Sequence, residues 1–447
     1  YYTNNTPSGA MRTFGVLQPT FAIESLMDIC SEKLGIDPIE LRMINGMKDG
    51  AVTHTRQVLG KVAYTETLKK CSEIAGWEVG SSRVRGAVRK DIKGSQIAEP
   101  YIPGKEFKSE EAMKLCRDRF KYGRGVGTGW YGIGRCATID KAGAFVEIDD
   151  GGTAMILTGV SEIGEGILTV LTQIAADELG MYPEDITIGD NDTARVPEAA
   201  HVGASRQTYM IGNAVCNACR DVKKKFIREM AAYWNIDSSS ICMKNRRIYV
   251  EGNAQYNLSL KEAVDICKKI RGIVPLGSGT YTAHHEGLDP VDGRGNPWQA
   301  YVFGTQIAEV AVDTFTGEVH VLGIWAAHDV GRVINPRGVE GQIEGGAVQS
   351  MGQTIMENYV LSEGVPTNKN FAKYILPTSV DVPEIHSYLV EDRDPFSPLG
   401  AKEIGEPAPL PTAPAIVNAI YDAVGVRITS LPAIPEKILN EISKMKN

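Results

Sequence analysis

Two runs beginning near Arg124, residues 123–137 and 143–159, alternate apolar and small residues, and the second contains the turn sequence DDGG at 149–152. Alternation with a period of two predicts strands, and an Asp-Gly turn between two such runs is typical of a β-hairpin. Two more strands are predicted on either side of TFTG, residues 314–317. Hairpins mixed with helices, without a repeated strand–helix–strand period, predict an α+β fold with mixed sheets rather than a doubly wound parallel sheet.

Helical spacing of apolar residues predicts several helices. One helix is predicted over 19–34, ending at Gly35, and a second begins after Asp37, which precedes a proline in the manner of an N-cap. Further helices are predicted over residues 63–76, 166–180, 212–235 and 335–357 and after Glu406.

The stretch over 80–122 is charged and irregular and indicates a boundary or a long connection. We predict two units, residues 1–120 and 121–447, within a length of 447 residues that accommodates two to four domains. Because the chain starts with YYTNN and not with methionine, we expect it to be a processed product, a truncated chain or one piece of a split protein.

Net charge and cysteine content limit the classes of binding partner and the cellular compartment that we expect for this chain. A formal net charge of -8 argues against nucleic acid or an anionic membrane as the main partner, and no apolar run is long enough for a transmembrane helix. Eight scattered cysteines fit a reduced, cytoplasmic protein. The CxxC pair, Cys216 and Cys219, lies in a predicted helix, so we expect packing on one helix face rather than zinc binding.

Glycine-rich stretches around a few polar residues mark the candidate site. Such backbone approaches a ligand closely and donates amide hydrogens, which predicts an anionic, heteroatom-rich ligand. The GxGxxG motif of dinucleotide-binding folds does not occur between a predicted strand and a predicted helix, and the phosphate-binding motif GxxxxGK(S/T) is absent from the sequence. His201, in one of these stretches, is a candidate ligand contact or a surface histidine. The stretches are residues 7–18, 159–169, 200–214 and 399–425, with a weaker fifth at 329–352.

Five ordered motifs together resemble the molybdenum-binding subunit of the xanthine dehydrogenase / aldehyde oxidoreductase family. They span the whole chain: GAMRTFG (9–15), GEGILTVLTQIAADELG (164–180), GASRQT (203–208), DVGRVINPRGVEGQIEGG (329–346) and the stretch that begins GAKEIGEPAP (400–438).

The resemblance implies molybdopterin-binding domains that hold molybdenum through molybdopterin in its cytosine dinucleotide form. The implied reaction hydroxylates an electron-poor carbon of a purine-like or nicotinate-like N-heterocycle, or of an aldehyde, with oxygen from water. It further implies an oligomeric assembly with iron–sulfur and FAD subunits and with the N-terminal half of the molybdenum subunit.

The resemblance also assigns residues. Glu406, in GEP, falls on the catalytic general base, and a carboxylate that is ionised at neutral pH suits that role. Arg12 falls beside the metal and substrate, and Phe14 on the aromatic that packs on the substrate ring. The implied cofactor contacts are Ala204, which also lies against the metal, Ser205, Gly164, Glu165, Gly166 and Gln342.

Two departures from the family pattern leave alternatives open. Glu165 stands where glutamine is usual, so either its carboxylate points away from the cofactor, is protonated or is bridged, or the loop has another function. A second aromatic that sandwiches purines is missing, and Trp130 or Tyr131 are the candidates to replace it.

Two other functions fit the same residues. The chain is alternatively a cofactor-free, partner-binding half of a split molybdoenzyme, or part of a reductase that dehydroxylates an aryl-CoA. Because half of the cofactor cradle is absent, we expect the isolated chain to bind little cofactor.

Overall fold

A computed structural model describes residues 4–5, 9–80, 119–136 and 138–445 of the chain. The predicted helices are present, and each begins and ends within a few residues of the predicted bounds. The helices are α1 (Leu17–Leu34), α2 (Pro38–Asn45), α3 (Tyr64–Ile74), α4 (Ile167–Leu179), α5 (Gly212–Trp234), α6 (Leu260–Asp265), α7 (Pro336–Ile355), α8 (Thr412–Val424) and α9 (Pro435–Met445).

Fifteen strands form five sheets in the described part of the chain. The longer strands are β1 (Phe120–Gly132), β2 (Lys141–Ile148), β3 (Ala154–Leu157), β4 (Ile186–Ile188), β5 (Ile241–Lys244), β6 (Arg247–Val250), β7 (Asn253–Ser259), β8 (Leu276–Thr282), β11 (Tyr301–Asp313), β12 (Val319–Asp329) and β15 (Glu384–Val390). The two-residue strands are β9 (Gly287–Leu288), β10 (Gly295–Asn296), β13 (Leu361–Ser362) and β14 (Val365–Pro366).

Capping residues define the helix ends that the sequence predicted. Asp37 accepts hydrogen bonds from the amides of Ile39 and Glu40 at the start of α2. Gly35 ends α1 in a left-handed conformation, with φ of 67°. These caps satisfy amides and carbonyls that have no partner within the helix.

The first large sheet has the strand order β1-β11-β12-β15. Its first two pairs are antiparallel and the last pair is parallel, so the sheet is mixed. Strands β11 and β12 are joined at TFTG, as predicted. Helix α8 packs on β1 and β11, and its apolar side chains form one core with those of the sheet.

Three alternate glycines in β1 allow α8 to lie directly on the sheet. A Cβ at Gly123, Gly125 or Gly127 would stand 2.2 Å from a carbonyl oxygen of Ala419, Ala415 or Pro411 respectively. Residues two apart on a strand face the same side, so the three positions form one row. The glycine run GRGVGTG is therefore a packing surface for a helix and not a nucleotide-binding loop.

The second large sheet also carries a helix that packs directly on glycines of a strand. Its strand order is β4-β3-β2-β8, and the predicted hairpin of β2 and β3 is confirmed. Helix α5 packs on β8, where Gly277 and Gly279 meet the backbone of the helix. Cys216 and Cys219 are fully buried in this core, and burial raises the pKa of Cys216 to about 12. Their predicted packing role is confirmed.

The α+β class with mixed sheets is confirmed, whereas the division at residue 120 stays a prediction. The predicted boundary region lies mostly outside the described residues. Helix α3, from the predicted first unit, shares a core with β1 and β11 through Leu68, Val126 and Ile307. In the described residues, every helix is too short or too polar to cross a bilayer.

Candidate active site

One cavity of about 480 Å³ brings the glycine-rich stretches together. All four of these stretches and the weaker fifth contribute to its lining, although they lie far apart in the sequence. The lining segments fall within residues 10–14, 163–170, 202–208, 330–342 and 401–406. Helix α4 begins directly after Gly166, and α5 begins at Gly212, shortly after the loop of Gly203 to Ser205, so the predicted loop-to-helix geometry is present.

The Glu406 carboxylate is held at the cavity wall by donors from two other segments. The amide of Ala204 donates to Oε1 at 3.1 Å, and the hydroxyl of Tyr131 donates to Oε2. The Glu406 amide donates in turn to the hydroxyl of Ser205 at 2.9 Å. The carboxylate is thus fixed in orientation while it lines the cavity.

Arg12 connects the loop of Glu406 to helix α7. Its Nε donates to the carbonyl of Gly405, and its Nη2 donates to the side-chain and main-chain oxygens of Gln342 at 3.1 and 3.3 Å. Burial lowers the pKa of Arg12, and the nearby charge of Glu406 opposes that effect. A guanidinium suits this position because its fork-shaped donors reach two acceptors at once.

The loops beside Glu406 contain non-glycine residues in the left-handed region. Ala204 and Ser205 have φ of 54° and 47°, and Thr13 and Phe14 have φ of 82° and 54°. Such conformations cost free energy and cluster at ligand-binding sites. Buried Arg206 holds the loop of Ala204 and Ser205 in place through an ion pair of 2.6 Å with Asp140.

Glu165 is bridged within the cavity wall. Its carboxylate accepts from the side-chain amide of Gln207 and from the main-chain amide of Ile163. Burial and the neighbouring Glu162 raise the pKa of Glu165. Of the three alternatives for this carboxylate, the contacts match the bridged one.

Two glycines leave space for a ligand beside Glu165. Gly164 and Gly166 have φ of 100° and 88°, and no atom lies within 4 Å of a Cβ built at either position. Burial opposes ionisation of the adjacent Glu162, yet hydrogen bonds from the amides of Gly166, Leu168 and Gly164 lower its pKa. The Glu162 carboxylate therefore fixes the conformation of this loop, and the space beside Gly164 and Gly166 stays open towards the cavity.

Glu403 is a second carboxylate of the loop that carries Glu406. The amide of Thr208 donates to it, but removal of water from the carboxyl dominates and raises its pKa to about 7. The folded chain therefore binds a proton here more tightly than the unfolded chain does. The sequence placed this residue three positions before Glu406 without assigning it a role.

Replacing Glu403 with glutamine is expected to change the pH dependence of stability. A raised carboxyl pKa contributes stability at low pH, and that contribution is lost as the pH rises between about 4.5 and 7. The melting temperature of E403Q minus that of the wild type is therefore expected to increase across this window. Thermal scans at several pH values measure this difference, and a constant difference would contradict it.

The remaining predicted residues differ in whether they line the cavity. Phe14 lines the cavity and is 69% exposed, so one ring face is open to a ligand. Trp130 stacks on Tyr301, with ring centroids 4.8 Å apart, and does not line the cavity. Tyr131 instead reaches Glu406, a contact that sequence reasoning missed. His201 is exposed and lies outside the cavity lining.

Within the described residues, protein side chains do not form a metal site of their own. In residues 4–5, 9–80, 119–136 and 138–445, no three histidine, cysteine, aspartate or glutamate side chains are placed to hold a metal ion.

A family model described as a molybdopterin cofactor-binding domain matches residues 102–383, and a second model of the same description matches residues 1–46. The chain is 30% identical to the xanthine dehydrogenase molybdenum-binding subunit of Escherichia coli, over 98% of this chain and 54% of that protein. The chain thus spans about half the length of the curated relatives it matches.

Two solved structures share the fold over nearly the whole chain. Quinoline 2-oxidoreductase from Pseudomonas putida 86 has a TM-score of 0.81 and 25% identity, covering 98% of this chain and 53% of that one. Aldehyde oxidoreductase from Desulfovibrio gigas has a TM-score of 0.76 and 27% identity, covering 97% and 42% respectively.

Proposed function

Because this chain belongs to the molybdenum-binding subunits of the xanthine dehydrogenase family, we propose that it forms part of a molybdenum hydroxylase. The proposed reaction converts a C–H bond of an electron-poor carbon to C–OH. Water supplies the oxygen, and two electrons and two protons leave. The cofactor, when bound, supplies the two-electron redox chemistry.

The position of Glu406 carries this proposal. Its carboxylate lines the cavity, and each of its oxygens is oriented by a separate donor. A carboxylate held in this way can accept a proton at a defined place beside a bound substrate, which is the requirement for general-base catalysis. We propose that Glu406 removes a proton from the water-derived group that attacks the substrate.

Two residues are proposed to position the substrate and the backbone next to Glu406. Phe14 has an exposed ring at the cavity wall, which suits stacking on a flat substrate such as an aromatic N-heterocycle. Arg12 fixes the backbone next to Glu406 and places positive charge beside the proposed metal position. Ala204 is proposed to lie against the metal because its amide donates to the Glu406 carboxylate at the cavity wall.

The lining fits a large anionic cofactor. Gly164 and Gly166 leave open space, and Arg12 supplies positive charge from the opposite loop. The start of α7 contributes Asn335 and Gly338, where the positive end of the helix dipole favours an anion. We propose molybdopterin in its cytosine dinucleotide form, with Ser205, Glu165 and Gln342 as further contacts.

The remaining part of the molybdenum subunit is the first proposed partner. Helix α1 exposes Ile23, Leu26 and Leu34 on one face, at 58%, 59% and 63%. An apolar face of this kind is typical of a surface that another segment covers. About half of the relatives' length is unaccounted for by this chain, so we propose the N-terminal half as its occupant.

Iron–sulfur and FAD subunits are proposed as the electron-accepting partners in the same oligomer. The cytoplasm is the proposed location, supported by seven unpaired cysteines in the described residues. The alternative of a cofactor-free, partner-binding half is not favoured, because segments throughout this chain contribute to the cavity.

A substrate screen in ¹⁸O-labelled water tests the proposal. The assembled protein, with its N-terminal half, is assayed with quinoline-like and purine heterocycles, aldehydes and an aryl-CoA, using an artificial electron acceptor. We expect stoichiometric molybdenum and a heterocycle or aldehyde product that carries ¹⁸O from water. The isolated chain, assayed in parallel, is expected to hold little molybdenum.

Three outcomes of this screen count against the proposal. Product oxygen taken from dioxygen would exclude this hydroxylation, and absence of molybdenum from the assembled protein would favour the structural role. Turnover of the aryl-CoA alone, with loss of its hydroxyl group, would identify the dehydroxylating reductase instead.

A further inference from the structure

The end of strand β1 places a tyrosine hydroxyl on the proposed catalytic base. Tyr131 is 9% exposed, and its hydroxyl donates to Oε2 of Glu406. Trp130, the preceding residue, faces the opposite side of the sheet and stacks on Tyr301. Adjacent strand residues alternate in direction, so β1 presents only Tyr131 to Glu406.

We infer that Tyr131 is a positioning residue for Glu406, an inference that rests on the proposed function. Its hydroxyl holds one carboxylate oxygen while the amide of Ala204 holds the other, so that the carboxylate is kept in a single orientation towards the cavity.

The segment after β1 is itself tied to the Ala204 loop. The amide of Gly134 donates to the carbonyl of Ala204 at 2.8 Å, and Trp298 donates to the carbonyl of Gly134 at 3.1 Å. The two donors to Glu406 are therefore held relative to each other by main-chain contacts. A displacement of Tyr131 would disturb the carboxylate, because both belong to one hydrogen-bonded cluster.

The protonation state of Tyr131 suits a donor. Burial, together with the bond to Glu406 and its charge, raises the pKa of Tyr131, so the phenol keeps its proton at neutral pH. The Tyr131 hydroxyl therefore remains a donor that orients the Glu406 carboxylate.

The substitution Y131F in the assembled enzyme tests this role. We expect kcat to fall about tenfold with little change in KM, because the base loses its fixed orientation while the cavity wall stays unchanged. Molybdenum content is expected to match the wild type. A crystal structure of Y131F is expected to show the Glu406 carboxylate in a different or a divided orientation.

A matched control exists in the same chain. The hydroxyl of Tyr374 donates to Oε2 of Glu357 at 2.6 Å, outside the cavity lining. Y374F removes the same type of contact, and we expect wild-type kcat and KM from it. Wild-type kcat in Y131F, with the Glu406 carboxylate unmoved in the crystal, would overturn the inference.

The proposed function fails by a different result. If E406Q retains full turnover, Glu406 is not the base and the proposed mechanism is wrong. If E406Q is inactive while Y131F keeps the wild-type kcat, only the role of Tyr131 is wrong.

Discussion

Glutamine in place of Glu406 is expected to lower kcat by about 10²–10⁴-fold, the usual contribution of a general base. The amide keeps the shape of the side chain and still accepts from Ala204, but it cannot take up a proton at neutral pH. We expect KM and molybdenum content to stay close to the wild-type values, because the cavity wall is unchanged. Steady-state kinetics and metal analysis of the assembled enzyme measure the three quantities.

The matched control is E357Q. Glu357 also accepts from a tyrosine hydroxyl but lies outside the cavity lining. Its replacement is expected to leave kcat unchanged. Full turnover of E406Q with intact molybdenum would remove Glu406 from the mechanism, whereas equal losses in both variants would indicate a general effect on folding.

Lysine in place of Arg12 is expected to lower kcat by about 10²-fold, although the charge is retained. Lysine cannot reach the Gly405 carbonyl and both oxygens of Gln342 with the geometry of a guanidinium fork. The loop that carries Glu406 then loses its connection to α7, and a misplacement of about 1 Å costs about this factor in rate. Kinetics of R12K at saturating substrate measure the loss.

Arg427 provides the control for this arginine. It connects α8 to α1 through Asn418, at 3.2 Å, and Asp28, and it does not line the cavity. R427K is expected to lower the melting temperature without lowering kcat per bound molybdenum. If R12K keeps full kcat per molybdenum, the positive charge alone accounts for the role of Arg12.

The elements of the fold were predictable because their signals are local. The period of apolar residues, the caps at Asp37 and Gly35 and the turns at 149–152 and 314–317 all act within a few residues. The glycine run of β1 was ambiguous, since glycine serves close backbone approach to a ligand and to a helix equally well. Only the position of α8 decides between the two.

The candidate site was predicted mainly through the resemblance to a family, and not from residue spacing. Tyr131 and Glu406 are 275 positions apart, and nothing in either segment indicates that they meet. The choice between Trp130 and Tyr131 also depended on strand direction, which a sequence without register does not define. The high pKa of Glu403 was equally hidden, because burial of a single carboxyl is a property of the assembled cavity.

The glycine row beneath α8 has a consequence for how this part of the chain can vary. The helix contacts the sheet through backbone atoms, which have no alternative rotamers, so neither partner can shift to accommodate a larger residue at Gly123, Gly125 or Gly127. The packing of α8 on β1 is therefore closed to gradual variation. Sequence changes are expected instead in the surrounding loops, for example at Phe14, whose exposed side chain lines the same cavity as the proposed base.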